Sequence, residues 1–283
     1  PVESSVPEPV IDSGFLKQVE AQVVQIAEAA GQEILKIYNS GFPVQEKADH
    51  TPLTEADLAA NTIIKMGLAA LDVAYPVMSE EEVVPYAQCQ HWQTYWLVDP
   101  LDGTKEFIKR NGEFSVNIAL VHQHQAVLGV VLAPVLETTY VASRGNGAYK
   151  YAQQDVVKMQ VSEVSEPLRI TASRSHPGPS TQAYLSKITE VIGPHSFVPM
   201  GSSLKSCVVA DGLADIYPRF GKTSEWDTAA CQVIVEEAGG VMQTMQGEPL
   251  RYNTKESLLN PEFMVFGDDS VDWAGLYRQL RKQ

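Results

Sequence analysis

The chain has 283 residues, 44% hydrophobic and 20% charged, with a formal net charge of −14. That length suits two domains sharing an interface, and the composition excludes a disordered or fibrous chain. So acidic a surface repels nucleic-acid backbones, which excludes nucleic acid as a partner; it also repels phosphorylated small molecules unless a pocket supplies its own cations.

Leu16, Val19, Val23, Ile26, Ala30, Ile34 and Ile37 recur at helical spacing and predict an amphipathic helix over 13–38, ended near Gly41-Phe42-Pro43. A second helix is predicted over 54–71, opened by Thr54, with Ala60, Ile64, Leu68 and Leu71 on its apolar face. The middle changes character. Segments 95–98, 115–122, 126–132, 138–142 and 156–161 are short, β-rich and separated by turn residues, as in an antiparallel meander. From 168 onward strands and helices alternate: strands over 168–172, 196–199 and 214–217, helices over 182–191, from about 202, and over 227–238, the last closed by Gly239-Gly240. Strands near Val241 and Phe263 and a helix through Trp273, Leu276 and Leu280 follow. The expected boundary at 163–167 divides an N-terminal α+β unit, 1–165, from a C-terminal α/β unit, 166–283.

Cys89, Cys207 and Cys231 are odd in number and show no paired spacing, which argues against a disulfide framework or a zinc site and for a reducing cytoplasm. No signal-peptide pattern is visible, and the longest apolar stretch, 126–136, is too short to span a bilayer and contains Gly129 and Pro134. Oligomeric state and peripheral association with the inner face of the membrane are not set by the sequence.

The most informative segment is Trp96-Leu97-Val98-Asp99-Pro100-Leu101-Asp102-Gly103-Thr104. An apolar strand runs into two acids, and the proline is expected to stop it, leaving Asp99 and Asp102 at the turn; Gly103 then permits a close backbone approach. Backbone N–H groups at such a turn suit a phosphate. Two neighbouring carboxylates repel, and one tends to hold its proton; with a divalent cation both ionise and become hard oxygen ligands. Glu80 follows the apolar stretch ending Val77-Met78-Ser79. Asp227 opens a helix in Ser224-Glu225-Trp226-Asp227, and Asp57 opens another in Thr54-Glu55-Ala56-Asp57. Taken singly, the four segments read as well as a solvated turn, an acidic surface run or helix caps.

Together and in this order, Leu53-Thr54-Glu55-Ala56-Asp57, Glu80, Asp99-Pro100-Leu101-Asp102-Gly103-Thr104 and Trp226-Asp227-Thr228-Ala229-Ala230 resemble the motifs of the inositol monophosphatase superfamily, over roughly residues 44–266. The resemblance implies a layered αβαβα fold and a Mg²⁺-dependent phosphatase with two or three ions. By the same implication Glu80, Asp99 and the Leu101 carbonyl hold one ion, Asp99, Asp102 and Asp227 a second, and Asp57 contributes to a weaker third. Asp57, Glu80 and Thr104 are the implied catalytic residues, orienting and deprotonating the attacking water.

Within the superfamily, Thr171-Ala172-Ser173-Arg174-Ser175-His176, Gly201-Ser202-Ser203-Leu204-Lys205-Ser206-Cys207 and Tyr217-Pro218-Arg219-Phe220-Gly221 resemble the bacterial 3′(2′),5′-bisphosphate nucleotidases. Such enzymes convert adenosine 3′,5′-bisphosphate to AMP and phosphate, with the corresponding phosphosulfate as a further implied substrate. The implied substrate contacts are Glu80, Asp102, Gly103, Thr104, Lys105, His176, Ser202, Ser203, Lys205, Arg219 and Asp227. Lys205 is a point charge and Arg219 a planar fork, both suited to a second phosphate. Two departures stand out: Ser79 where the superfamily commonly has Gly, and Lys222 where close relatives frequently have Pro. An inositol or sugar phosphatase on the same fold is the alternative, since a fold does not fix a substrate. A non-catalytic Mg²⁺- or nucleotide-binding regulator is a third reading, and the presence of every expected acid speaks against it.

Overall fold

A computed structural model describes residues 8–49, 52–173 and 178–282. The helix expected first is α1 (Ser13–Tyr38). Asp12 accepts from the Phe15 N–H at 2.9 Å to start it, and its period buries Leu16, Val23, Ala27, Ala30, Ile34 and Ile37. A short hairpin of β1 (Val44–Glu46) and β2 (Pro52–Thr54) leads into α2 (Glu55–Ala69).

A seven-stranded sheet follows. Its strands are β3 (Val77–Ser79), β4 (Thr94–Asp102), β5 (Ser115–His122), β6 (Gln125–Ala133), β7 (Thr138–Ser143), β8 (Ala148–Ala152) and β9 (Asp155–Lys158), paired in chain order, with the short helices α3 (Tyr86–Cys89) and α4 (Thr104–Lys109) between them. Apart from the parallel β3–β4 pair all neighbours are antiparallel, so the expected meander is present. β9 ends at Lys158, short of the predicted 161, because the Val161 N–H turns to the Ala238 carbonyl at 3.0 Å. The strands at 44–46 and 52–54 are too short for any periodicity to announce them.

The second sheet contains β10 (Leu168–Ala172), β11 (His195–Pro199), β12 (Ile216–Arg219), β13 (Val241–Thr244) and β14 (Phe263–Phe266) in the order β11-β10-β12-β14-β13. It is mixed: β10 pairs parallel with β11 and β12, and β14 antiparallel with β12 and β13. The helices are α5 (Pro179–Val191), α6 (Leu204–Ala210), α7 (Glu225–Glu237) and α8 (Trp273–Leu280).

Side-chain alternation along the strands builds the layers. β4 sends Trp96 and Val98 into the cluster with α1 and α2, and Tyr95 and Leu97 into the cluster with α6 and α7. β14 sends Phe263 and Val265 into that same middle cluster, and Met264 and Phe266 towards α5 and α8. The result is the five-layer α/β/α/β/α stack that the resemblance implied. A Cβ on Gly129 of β6 would lie 2.2 Å from the Ala230 carbonyl oxygen, so the missing side chain is what lets α7 settle on the sheet. No helix among the described residues is long and apolar enough to cross a membrane.

Candidate metal centre and active site

β4 is buried from Tyr95 to Leu101. Pro100 does not stop it, contrary to the expectation from sequence; it falls where the β4–β5 register shifts, between Asp99 and Asp102. A residue with no N–H is tolerated at such an irregularity, and the extra length turns both acids into one cavity. Gly103 follows at φ +85° as the cap of α4, where a Cβ would lie 3.1 Å from the Ser202 Cβ and 3.3 Å from the Glu113 carbonyl oxygen. Asp227 reaches the same cavity from the first turn of α7. It is also a helix cap, its Oδ2 accepting from the Ser224 N–H at 2.8 Å. The capping and ligand readings therefore coexist in one carboxylate. One carboxylate oxygen each from Asp99, Asp102 and Asp227 lie within 4.8 Å of one another.

Asp99 is wholly buried. Its Oδ1 accepts from the Leu101 N–H at 3.2 Å, while Oδ2 has no protein partner among the described residues. Burial, and then the charges of Glu80, Asp102 and Asp227, push its carboxyl well above the ordinary range. Asp102 is pushed up to about 8 by burial and then by Asp227, although the Ser203 N–H donates to its Oδ2 at 2.6 Å. Burial also raises Asp227, to about 6, against the Ser224 N–H. Three crowded acids, one with an orphaned buried oxygen, are unfavourable by themselves. They are the donor set of a hard divalent cation, which would satisfy the orphan and let all three ionise. The residues present fit such an ion.

Asp57, fully buried on α2, accepts from the Thr54 N–H and hydroxyl through Oδ2, at 2.8 and 2.6 Å, and from the Thr104 hydroxyl through Oδ1 at 3.0 Å. The Thr104 hydroxyl also lies 3.4 Å from the Leu101 carbonyl oxygen. Glu80 lines the cavity but stands outside the close trio. Its Oε1 is 3.4 Å from the Lys47 ammonium, which also binds Glu81 at 2.8 Å.

Cations line the same cavity. Lys205, in the buried α6, has its Nζ 5.5 Å from the Tyr217 ring centroid; burial and then the nearby Arg219 lower it to about 8. Arg219 ends β12 with a buried Nε that has no partner among the described residues. Ser202 takes φ +50°, and the Ser203 hydroxyl donates to Asn117 Oδ1 at 2.8 Å. Lys105 lines the wall from α4. The cavity measures about 520 Å³. His176 lies outside the described residues.

Sequence reasoning missed the support of this site. Ser115 and Asn117 of β5 fix Ser203: the Ser115 and Ser203 hydroxyls are 2.9 Å apart, and Asn117 Nδ2 donates to the Ser115 hydroxyl at 3.0 Å. Their signal was visible, two polar residues at i, i+2 on one face of an otherwise apolar strand. Lys47 and Lys109 carried none, and Lys222 stood out in the sequence only as a departure from the proline of close relatives.

The model of the inositol monophosphatase family matches residues 16–270. The chain is 48% identical, over 86% of its length and 98% of the relative's, to the 3′(2′),5′-bisphosphate nucleotidase CysQ of Salmonella typhimurium, and equally so to that of Escherichia coli K12. The crystal structure of CysQ from Bacteroides thetaiotaomicron, described as a bacterial member of the inositol monophosphatase family, superposes with a TM-score of 0.80 at 40% identity, covering 89% of this chain and 98% of that one.

Proposed function

The chain belongs to the inositol monophosphatase family, and we propose that it is a 3′(2′),5′-bisphosphate nucleotidase, hydrolysing the 3′-phosphate of adenosine 3′,5′-bisphosphate to AMP and phosphate, with the phosphosulfate analogue as a second substrate. The observation that carries this reading is the mixed charge of one cavity: the close acids Asp99, Asp102 and Asp227 and the cations Lys205 and Arg219 line the same space. A substrate with a single phosphate needs only the acids and the ion they would hold. One with two phosphates on a ribose uses the cations as well.

Asp99, Asp102 and Asp227 would hold Mg²⁺, joined by Glu80 and the Leu101 carbonyl at a second position and by Asp57 at a third. When bound, such ions supply positive charge to the phosphoryl oxygens and to both ends of an in-line displacement. The chain's own groups do the rest. Gly103 and the first turn of α4 bring backbone N–H groups to the scissile phosphate. Asp57 fixes the Thr104 hydroxyl, so that Thr104 orients a water, and Glu80 accepts its proton. Lys205 and Arg219 hold the second phosphate, with Lys105, Ser202, Ser203 and His176 completing the contacts.

We assign residues 1–165 and 166–283 to two units, because one sheet ends at Lys158 and the next begins at Leu168 while the acids come from both. Three buried free cysteines suit a reducing cytoplasm.

Phosphate release from adenosine 3′,5′-bisphosphate, adenosine 3′-monophosphate and inositol 1-phosphate, with Mg²⁺ and with EDTA, tests the reading. Mg²⁺-dependent release fastest with the bisphosphate is expected; release unaffected by EDTA, or fastest with inositol 1-phosphate, overturns it.

A further inference from the structure

The cavity holds more positive charge than the proposed contacts use. Besides Lys205, Arg219 and Lys105, its lining includes Lys109 on α4 and Lys222 on the turn after β12. Lys105 and Lys109 are four residues apart on one helix and so share a face, where like charges repel. Neither they nor Lys222 form an ion pair with any described residue. In a chain of 21 basic and 35 acidic residues, three unneutralised lysines around one opening are a selective feature.

The turn that carries Lys222 is held from below by Arg219. One Nη2 donates to the Lys222 carbonyl oxygen at 3.2 Å, and a Cβ on Gly221 would meet that guanidinium at 3.3–3.4 Å. One nitrogen of the Arg219 guanidinium therefore fixes the turn, and Lys222 adds a second positive charge beside it. The two lysines reach one cavity from different sheets' ends, one on α4 beyond β4 and one beyond β12.

Resting on the nucleotidase reading, we propose that Lys222 and Lys109 are further specificity-determining residues that join Lys205 and Arg219 in holding the phosphate remote from the one cleaved, with Arg219 also positioning the turn of Lys222. Their charge selects ribose bisphosphates over monophosphates and leaves the acid trio untouched.

The test measures kcat and KM for adenosine 3′,5′-bisphosphate and adenosine 3′-monophosphate in wild type, Lys222→Gln, Lys109→Gln and Lys222→Arg. Each Gln variant is expected to raise KM for the bisphosphate about fivefold at constant kcat, the loss typical of one exposed charged contact. The bisphosphate-to-monophosphate ratio of kcat/KM falls accordingly, and Lys222→Arg restores it. An unchanged ratio in both Gln variants, or a fall in kcat instead, overturns the proposal while leaving the nucleotidase reading intact. A wild-type enzyme indifferent to the second phosphate overturns both.

Discussion

Two buried strands, β4 and β12, run out of different sheets and end in the same cavity, and they end with opposite charge. β4 finishes on Asp99 and Asp102; β12 finishes on Arg219. In each the apolar part anchors the strand in the middle core, Tyr95 and Leu97 from one and Tyr217 from the other. The anchoring residues decide where the charge arrives, and the last residue decides its sign. The difference lies in what each end leaves unmet. The acid end crowds carboxylates whose proton affinity is raised by burial and by one another, a cost that only a cation or protons relieve. At the basic end burial and Arg219 weaken the hold of Lys205 on its proton, a cost an anion relieves. A strongly acidic protein can accept an anionic ester because these two deficits share one cavity.

The largest expected effect breaks the acid end alone. Asp102→Asn removes a proposed ligand while keeping the volume, and phosphate release should fall by about 10³-fold or more. The metal-free variant should melt no lower than wild type, because the asparagine is neutral without having to take up the proton that Asp102 holds. Mg²⁺ should raise the wild-type melting temperature and leave the variant's nearly unchanged. The pH dependence has a definite sign. The Asp102 carboxyl holds its proton to about 8 in the folded protein but to about 4 in the unfolded chain. Its protonation therefore favours folding below pH 4, and that contribution is lost as pH rises towards 8. Metal-free wild type should lose stability over that window, and saturating Mg²⁺ should flatten the curve. Thermal melts from pH 4 to 9, with and without Mg²⁺, check this; a metal-free curve that rises with pH would contradict the burial of these acids.

The next effect misplaces the third acid without touching it. Gly129→Val puts side-chain atoms where the Ala230 carbonyl sits and must lift α7 from β6. Denaturant titration should show a loss of about 3 kcal/mol. Turnover should fall together with stability, since Asp227 opens the displaced helix. A variant destabilised but fully active would mean that Asp227 keeps its place by the Ser224 cap alone.

These contrasts also explain what was legible in the sequence. The acid end was readable because its residues are consecutive: an apolar run, Asp-Pro-Leu-Asp and Gly lie within nine positions. The long helices were readable from their period, and the meander from its turns. Pro100 misled, because a proline's local effect depends on whether the partner strand shifts register, and the register is set by β5. The basic end was less readable, because Lys205 and Arg219 become neighbours only once α6 and β12 are packed. Glu80 illustrates the remaining gap: its place after β3 was expected, but its pairing with Lys47, 33 residues earlier, is a tertiary fact.

The basic end is tested more gently. Lys205→Met should raise KM for the bisphosphate about tenfold with little change in kcat. In wild type the Lys205 ammonium is present below pH 8 and is lost as pH rises through about 8, so KM should climb above that value. Lys205→Arg keeps its charge over this range and should remove the climb. A KM profile identical in wild type and Lys205→Arg would take the ammonium out of substrate binding.

The smallest effect separates backbone from side chain at the point where the two ends touch. Ser203 donates its N–H to Asp102 and its hydroxyl to Asn117. Ser203→Ala removes the hydroxyl's bonds to Asn117 and Ser115 and leaves the buried Asn117 oxygen without that donor, at a cost of about 1–2 kcal/mol by denaturant titration. The N–H remains, so the Asp102 carboxylate keeps the donor it accepts from, and kcat should change less than twofold. If kcat falls much further than stability does, the hydroxyl network of Ser115, Asn117 and Ser203 positions Asp102 through the peptide that carries the N–H. The acid end would then depend on β5 as much as on β4.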